Sequence, residues 1–222
     1  MPYPPAARDT IIAHLRQDPV LRPIVDELPF PEDRVHLSEV YPSLLRAIVG
    51  QQVSTLAAAA IYRRFLLLFE LDPDDPLARP APEVLAKAEL DDLRAAGLSR
   101  GKATYLLALA EYFTNKLDAE TALRTMSDEE AIAELTAIKG VGRWTAEMML
   151  IFAMGRQDLL PLDDLAIYQS IVELYGLDPT AKPRQLKPQM TAIAEAWRPF
   201  RSVACLYLYG WRNHLRRGGG NM

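Results

Sequence analysis

Hydrophobic residues recur along most of the chain every three or four positions, which is the spacing of an amphipathic helix. Strict alternation of apolar and polar residues, the mark of a half-buried strand, is nearly absent. The pattern predicts an all-α fold of about ten helices, with neither a βαβ unit nor a solenoid repeat. Representative helical segments are "SRGKATYLLALAEYFTNK" (99–116), "DEEAIAELTAI" (128–138), "RWTAEMMLIFAMG" (143–155), "LAIYQSIVELYG" (165–176) and "QMTAIAEAW" (189–197).

Small polar residues mark where several of these helices begin. Ser54 is placed to cap the helix that follows it, and Ser127 with Glu130 has the spacing of a capping box. Asp9 or Thr10 is predicted to cap the first helix, "DTIIAHLRQ".

The amino-acid composition argues against several classes of protein, including cysteine-ligated metalloproteins and secreted or membrane proteins. The chain has 222 residues, a net charge of −4 and one cysteine, Cys205. One thiol cannot form a cysteine-rich zinc site or hold an iron–sulfur cluster through four cysteines, and it favours a reducing, cytoplasmic setting. With no secretory signal pattern and no apolar run long enough to cross a bilayer, we expect neither secretion nor membrane insertion. A nucleoid-associated or, in a eukaryote, nuclear location fits the same composition.

The charge is unevenly distributed. Residues 180–222 contain eight Lys or Arg residues and one Glu, a net charge of +7, so the remainder carries −11. A basic end on an acidic body suits a local anion-binding face. For the last residues, "RRGGGNM", a solubilising tail is the preferred interpretation.

The segment "AIKGVGRWTA" (137–146) connects two predicted helices through two nearby glycines. Gly140 and Gly142 permit positive φ and leave backbone N–H groups uncovered at the start of the second helix. The positive end of that helix then binds a phosphate, while Lys139 and Arg143 add charge. An ordinary helix–turn–helix corner with a glycine stop is the alternative.

The longer pattern around these glycines resembles the helix-hairpin-helix signature of the base-excision DNA glycosylases. The similarity is closest to the 3-methyladenine DNA glycosylase II type, whose additional N-terminal β-domain we expect to be missing here. Four motifs carry the resemblance: "AIVGQQVS" (47–54), "AGLSRGKATYL" (96–106), "GRWTA" (142–146) and "WRPFRS" (197–202).

The resemblance implies a catalytic aspartate in "PLDDLAIYQ" (161–169), and the second of the pair, Asp164, takes that role. An ionised carboxylate stabilises the positive charge that grows on deoxyribose as the base departs, and it can orient or deprotonate water. Helix capping is the alternative role for Asp163 or Asp164, and we expect at least one of them to cap the next helix.

Other roles also follow from the resemblance. The resemblance implies that Gln52 is the wedge that fills the duplex when a base is flipped out, and a solvated turn residue after Gly50 is the alternative. The aromatic or apolar residues Trp144, Phe200, Met148 and Leu165 fall at base-pocket positions, although core packing is an alternative for the two aromatic ones. The predicted phosphate-binding residues are Lys139, Gly140, Gly142, Arg143 and Thr145.

The residue at position 144 distinguishes between a glycosylase with lyase activity and one without it. In the lyase branch of the resembling superfamily, a nucleophilic lysine stands where this chain has Trp144, which cannot form an imine. The resemblance therefore implies a monofunctional glycosylase for alkylated bases such as 3-methyladenine and 7-methylguanine. Lys102 and Lys139 are the nearest alternative amines, and surface or phosphate-binding roles suit both.

The resemblance also implies two helical lobes with a DNA-binding cleft between them. One lobe comprises 1–42 and 156–222, and the other, 43–155, carries the hairpin at about 128–154. The expected partner of this monomer is double-stranded DNA that contains damaged bases. No cofactor is required, although backbone carbonyls near Ile138 and Val141 are a candidate site for Na⁺ or K⁺. A non-catalytic DNA-binding module and a glycosylase for another lesion remain alternatives.

Overall fold

The fold, seen in a computed structural model that defines residues 5–32 and 39–216, is built from helices. Over these ranges the chain forms thirteen α-helices and no β-strand, which confirms the predicted all-α class. No helix in the described part of the chain is both long and apolar enough to cross a membrane. In chain order the helices are α1 (Pro5–Leu15), α2 (Arg22–Glu27), α3 (Val40–Gly50), α4 (Thr55–Leu68), α5 (Pro82–Leu85), α6 (Leu90–Ala95), α7 (Arg100–Asn115), α8 (Ala119–Thr125), α9 (Asp128–Thr136), α10 (Arg143–Met148), α11 (Leu165–Leu174), α12 (Pro183–Ala194) and α13 (Arg201–Arg216).

The chain divides into two compact units. The hairpin unit comprises Ser38–Met149, and the terminal unit combines Met1–Leu37 with Leu150–Met222. Both boundaries lie N-terminal to the predicted ones at 42/43 and 155/156, because α3 joins the hairpin unit as a whole and α10 ends at Met148.

In the hairpin unit, α7 contributes a continuous apolar face to the core. It packs against α3, α5 and α6. Its buried residues recur every three or four positions: Ala103, Leu106, Leu109, Ala110 and Phe113. Burial of each Leu or Phe side chain contributes about 1.5–3 kcal/mol to the free energy of folding, so this face stabilises the packing of α7 against its neighbours.

In the terminal unit, α11 and α2 both pack against α13. The side chain of Asp18 ties distant parts of this unit together. Its Oδ2 atom accepts hydrogen bonds from the Tyr175 hydroxyl at 2.6 Å and from Trp197 Nε1 at 2.8 Å. Trp197 is fully buried, so its indole N–H requires such a partner.

The predicted starts of two helices are confirmed. The Ser54 side chain accepts a hydrogen bond from the backbone N–H of Ala57 at the start of α4. Ser127 and Glu130 form the expected capping box at the start of α9. Each cap bonds to backbone groups only three residues away, so a short stretch of sequence is enough to predict it.

The predicted cap of the first helix is wrong. Helix α1 begins at Pro5, so Asp9 and Thr10 lie inside it. Thr10 donates its hydroxyl to the carbonyl of Ala6, one turn earlier, at 3.0 Å. Proline is well tolerated in the first turn of a helix, so a start at Pro5 is compatible with its chemistry.

Two other helices differ from their predicted extents. The predicted helix over 143–155 is α10 followed by a π-helical turn, Met149–Ala153. An apolar pattern does not distinguish these two kinds of helix in so short a stretch. The predicted helix over 189–197 begins earlier, at Pro183, and includes Pro188.

Four of the eight basic residues of the segment 180–222 pair with acids of their own unit. Arg198 and Arg201 both reach Asp158, with N–O distances of 2.7 Å. Arg212 pairs with Glu173 at 3.0 Å, and Lys187 pairs with Asp163. The expected anion-binding face is therefore weaker than the net charge of +7 suggested. Residues 217–222, most of the predicted tail, lie outside the described residues.

Candidate active site

The hairpin between α9 and α10 is held by a buried apolar pair. Ile138 and Val141 are 4% and 5% exposed, and the Val141 N–H donates to the Ile138 carbonyl at 3.0 Å. Between them, Gly140 adopts φ +93°, and a Cβ atom there would overlap the Tyr105 ring. The turn therefore requires glycine at this position for both backbone and packing reasons.

The second glycine, Gly142, does not adopt the positive φ that a glycine permits. Gly142 has φ −91° and ψ 168°, an extended conformation that any residue adopts. A Cβ atom at Gly142 would meet no atom within 4 Å. Gly142 is the N-cap residue of α10 and makes no side-chain cap, so the glycine leaves open space at the start of this helix.

Arg143, predicted to bind phosphate, is engaged by two carboxylates. Its Nη1 and Nη2 atoms donate to Glu129 at 3.1 and 2.8 Å, and its Nε donates to Glu147 at 3.0 Å. Hydrogen bonding to Arg143 lowers the pKa of Glu129 below its usual value. Glu147 is 5% exposed, so Arg143 stabilises a buried acid, and its guanidinium must exchange partners to reach DNA.

The remaining predicted phosphate residues differ in their exposure. Lys139 is exposed at the turn, whereas the Thr145 side chain is only 8% exposed inside α10. Any contact of Thr145 with a phosphate would therefore come from its backbone N–H, which lies in the first turn of the helix. Lys139 is the predicted residue whose side chain is best placed for a solvent-side contact.

The predicted wedge, Gln52, lies in the turn between α3 and α4. Its side chain is exposed and its backbone φ is +56°, an uncommon value for a residue with a Cβ atom. The preceding residue, Gln51, donates from Nε2 to the carbonyl of Gly140 at 3.1 Å. Sequence reasoning missed this contact, although the repeated glutamine was visible.

The two adjacent aspartates have different environments. Asp164 is the N-cap residue of α11, where its Oδ1 atom accepts from the N–H groups of Ala166 at 2.9 Å and Ile167 at 3.0 Å. Asp164 is 7% exposed. Asp163 has an exposed side chain that pairs with Lys187. The expected capping role therefore falls to Asp164, whose carboxylate is rigidly oriented.

The predicted base-pocket residues are distributed over both units. In the hairpin unit, Trp144 is 48% exposed, which argues against core packing, while Met148 is 7% exposed. In the terminal unit, Leu165 is 67% exposed directly after Asp164. Phe200 is half-buried and makes an edge contact with His14, with ring centroids 5.5 Å apart. Trp144 and Leu165 thus present the most accessible surface of the four.

The lysines considered for imine chemistry have ordinary structural explanations. Lys102 donates from Nζ to the Val49 carbonyl at 2.8 Å, at the end of α3, and burial lowers its pKa. Lys139 lies on the exposed hairpin turn. Among the described residues, no group of three His, Cys, Asp or Glu side chains is arranged to hold a metal ion.

The hairpin and Asp164 both lie within the part of the chain that matches a family of DNA repair proteins. The chain belongs to the HhH-GPD superfamily of base excision DNA repair proteins, whose family model matches residues 45–198. This match confirms the resemblance inferred from the motifs.

Two relatives and one solved structure show which members of this superfamily the chain is similar to. DNA-3-methyladenine glycosylase 1 of Schizosaccharomyces pombe is 34% identical over 182 residues, which are 81% of this chain and 75% of the relative. DNA-3-methyladenine glycosylase 2 of Escherichia coli is 31% identical over 175 residues, 76% of this chain and 57% of the relative. A solved structure of the Schizosaccharomyces pombe 3-methyladenine DNA glycosylase in complex with abasic DNA matches with a TM-score of 0.72. It has 32% identity and covers 93% of this chain and 97% of that one.

Proposed function

We propose that this protein is a monofunctional DNA glycosylase that removes alkylated bases from double-stranded DNA during base excision repair. Bases of the 3-methyladenine and 7-methylguanine class are the proposed substrates. The names of the relatives support this choice, and one structural observation carries it. Asp164, at the position of the family's catalytic aspartate, is held in a single orientation by two backbone N–H groups.

The proposed reaction is hydrolysis of the N-glycosidic bond. As the base leaves, positive charge develops on the deoxyribose ring, and the fixed carboxylate of Asp164 stabilises that charge. The same carboxylate can orient a water molecule or take a proton from it as the water adds to the sugar. Because Oδ1 is anchored to α11, the carboxylate does not need to reorganise during the reaction.

DNA binding is assigned to the hairpin unit. The open start of α10 and the exposed Lys139 receive a phosphate, and Gln52 fills the stack after the base is flipped out. Alkylated purines carry positive charge, so stacking on the accessible face of Trp144 adds about 0.5–2 kcal/mol. A monovalent cation at the carbonyls near Ile138 and Val141 would reinforce the same turn without being required for the chemistry.

The proposal includes no strand cleavage. Trp144 stands where lyases of the family carry their lysine, and Lys102 is committed to the Val49 carbonyl. Borohydride should therefore trap no covalent complex between this protein and its abasic product. A trapped complex would contradict the monofunctional assignment.

The decisive experiment replaces Asp164 by asparagine, which keeps the shape and removes the charge. On methylated duplex DNA, Asp164→Asn should lower single-turnover base release by roughly 10²–10³-fold, the usual effect of removing one preorganised electrostatic group. Affinity for the duplex should change little. The matched control is Asp163→Asn, whose side chain is exposed and pairs with Lys187. If Asp164→Asn releases bases at the original rate, the catalytic assignment is wrong.

Another base lesion is the second candidate substrate. Met148 is buried and Leu165 is aliphatic, which leaves less aromatic surface for stacking than a pocket lined by several tyrosines. A panel of duplexes, each with one defined lesion, would rank the substrates. Release of a neutral lesion in preference to cationic alkylated purines would favour this second candidate, and binding without any release would indicate a non-catalytic module.

A further inference from the structure

A side-chain hydrogen bond connects the turn that carries Gln52 to the hairpin. The Gln51 amide donates from Nε2 to the Gly140 carbonyl at 3.1 Å, across 89 residues of sequence. This bond is partly buried, and both residues belong to the hairpin unit. The residue that precedes the predicted wedge therefore contacts Gly140, one of the predicted phosphate-binding residues, directly.

The same helix supports both ends of this contact. On α7, Lys102 donates from Nζ to the Val49 carbonyl at 2.8 Å, just before the turn. One helical turn further along α7, the Tyr105 ring lies so close to Gly140 that a Cβ atom there would overlap it. Residues three apart lie on one face of a helix. One face of α7 thus anchors both the end of α3 and the hairpin.

Backbone geometry makes the Gly140 carbonyl a fixed acceptor. Its positive φ of +93° is allowed because glycine has no Cβ atom, and the neighbouring Val141 N–H is held by the Ile138 carbonyl at 3.0 Å. A carbonyl in a turn constrained on both sides cannot rotate freely toward another donor. The Gln51 amide therefore donates to an acceptor whose own position is constrained by the hairpin turn.

The residue that follows Gln51 stores backbone strain. Gln52 has φ +56°, although it is not glycine, and its side chain is exposed. Strained conformations persist where the surrounding structure over-determines them, and they cluster at functional sites. The bonds at Val49 and Gln51 precede Gln52 directly and provide that constraint.

We propose that Gln51 is a positioning residue. It fixes the position of the Gln52 wedge relative to the DNA phosphate that the hairpin binds. This inference deepens the proposed function and rests on it, because it concerns the same DNA-binding site. A hairpin bound to the DNA backbone gives Gln52 a defined entry point only if the intervening turn is rigid. The Gln51–Gly140 hydrogen bond supplies that rigidity.

The test measures opening of the base stack at the site of the wedge separately from catalysis. The 222-residue chain binds a duplex that carries an abasic-site analogue beside 2-aminopurine, whose fluorescence rises when the stack is opened. Gln51→Ala should reduce the fluorescence rise by about two- to tenfold, the range expected for one neutral hydrogen bond. Affinity for the duplex should stay within about twofold, since the phosphate contacts of the hairpin remain.

Variants at both positions decide whether Gln51 acts through Gln52. If it does, Gln51→Ala combined with Gln52→Ala should be no worse than Gln52→Ala alone, because coupled residues are non-additive. Gln51→Glu keeps the size, removes the donor and should be at least as impaired as Gln51→Ala. The matched control is Gln189→Ala, which removes an amide-to-carbonyl bond of the same 3.1 Å length in α12 and should leave the signal unchanged.

Three outcomes would overturn the inference. These are additive losses in the double variant, a fall in thermal stability and DNA affinity without a change in the fluorescence rise, and no rise in the wild-type complex. None of these readouts requires base release. If the wild type released no alkylated base yet Gln51→Ala still weakened the signal, the proposed substrate would be wrong and the positioning role would stand.

Discussion

The starts of α10 and α11 use the same backbone feature in opposite ways. Each helix begins with N–H groups that have no carbonyl partner within the helix. At α11, Asp164 provides its own carboxylate to two of these groups, so the helix start holds an anion that belongs to the protein. At α10, Gly142 makes no side-chain cap and leaves open space, so this start suits an anion from outside.

Under the proposed function, this difference would let one chain bind a polyanion and stabilise a cation. The open start of α10 would receive a DNA phosphate, and the carboxylate at the start of α11 would stabilise a sugar that becomes positive. A single side chain at the N-cap position decides between the two. The comparison is therefore best tested by giving the open helix start a capping side chain like that of the closed one.

The largest effect is expected from closing the open start. Gly142→Asp would give α10 the same kind of cap as α11 and place a charge where the phosphate is predicted to bind. Affinity for an abasic-analogue duplex should fall about a hundredfold, because opposed like charges cost several kcal/mol. The unfolding temperature should hold or rise, since an Asp cap is favourable and the site has space. Gly142→Ser, an uncharged cap, should weaken binding much less, and equal affinities for both variants would contradict this assignment.

A smaller effect should separate the two glycines. Gly140→Ala places a side chain at φ +93° against the Tyr105 ring, and the free energy of unfolding should fall by about 2 kcal/mol. Gly142→Ala should change it by less than about 0.5 kcal/mol, since the added methyl meets no atom within 4 Å. Urea denaturation of both variants measures this contrast. Equal losses would mean that the hairpin constrains both glycines alike.

The smallest effect on DNA affinity is expected from Glu129, the exposed acid that pairs with Arg143. Glu129→Gln removes the exposed charged partner while Glu147 remains. Arg143 should then reach DNA more easily, which would raise affinity a few-fold. The slope of log affinity against log salt should steepen by up to about 0.9, the value for one added phosphate contact. An unchanged slope would show that Arg143 serves only to stabilise Glu147.

Local signals in the sequence predicted much of this arrangement. Ser54, Ser127 and Asp164 are caps that act on groups two or three residues away, so their roles are visible in a short stretch of chain. The glycines of the hairpin marked the turn correctly. Their separate roles depended on Tyr105, which lies far from them in sequence.

Contacts between distant residues were not predictable in this way. The pairing of Arg143 with Glu129, and of Gln51 with Gly140, follows from how helices pack and leaves no periodic trace. The same holds for the basic C-terminal segment, where Arg198 and Arg201 converge on Asp158. The net charge of a segment gives the excess of its cations over its acids, but packing determines how many of the cations remain unpaired.

The most direct test of the account is the affinity for a cationic mimic of the reacting sugar. Two duplexes would be compared, one with a protonated pyrrolidine in place of the deoxyribose and one with the neutral tetrahydrofuran analogue. The wild type should prefer the cationic duplex by about a hundredfold or more, as transition-state analogues do. Asp164→Asn should bind both duplexes equally, whereas Asp163→Asn should keep the preference. An equal affinity in the wild type, or a preference that survives Asp164→Asn, would contradict the assignment of Asp164 as the stabilising anion.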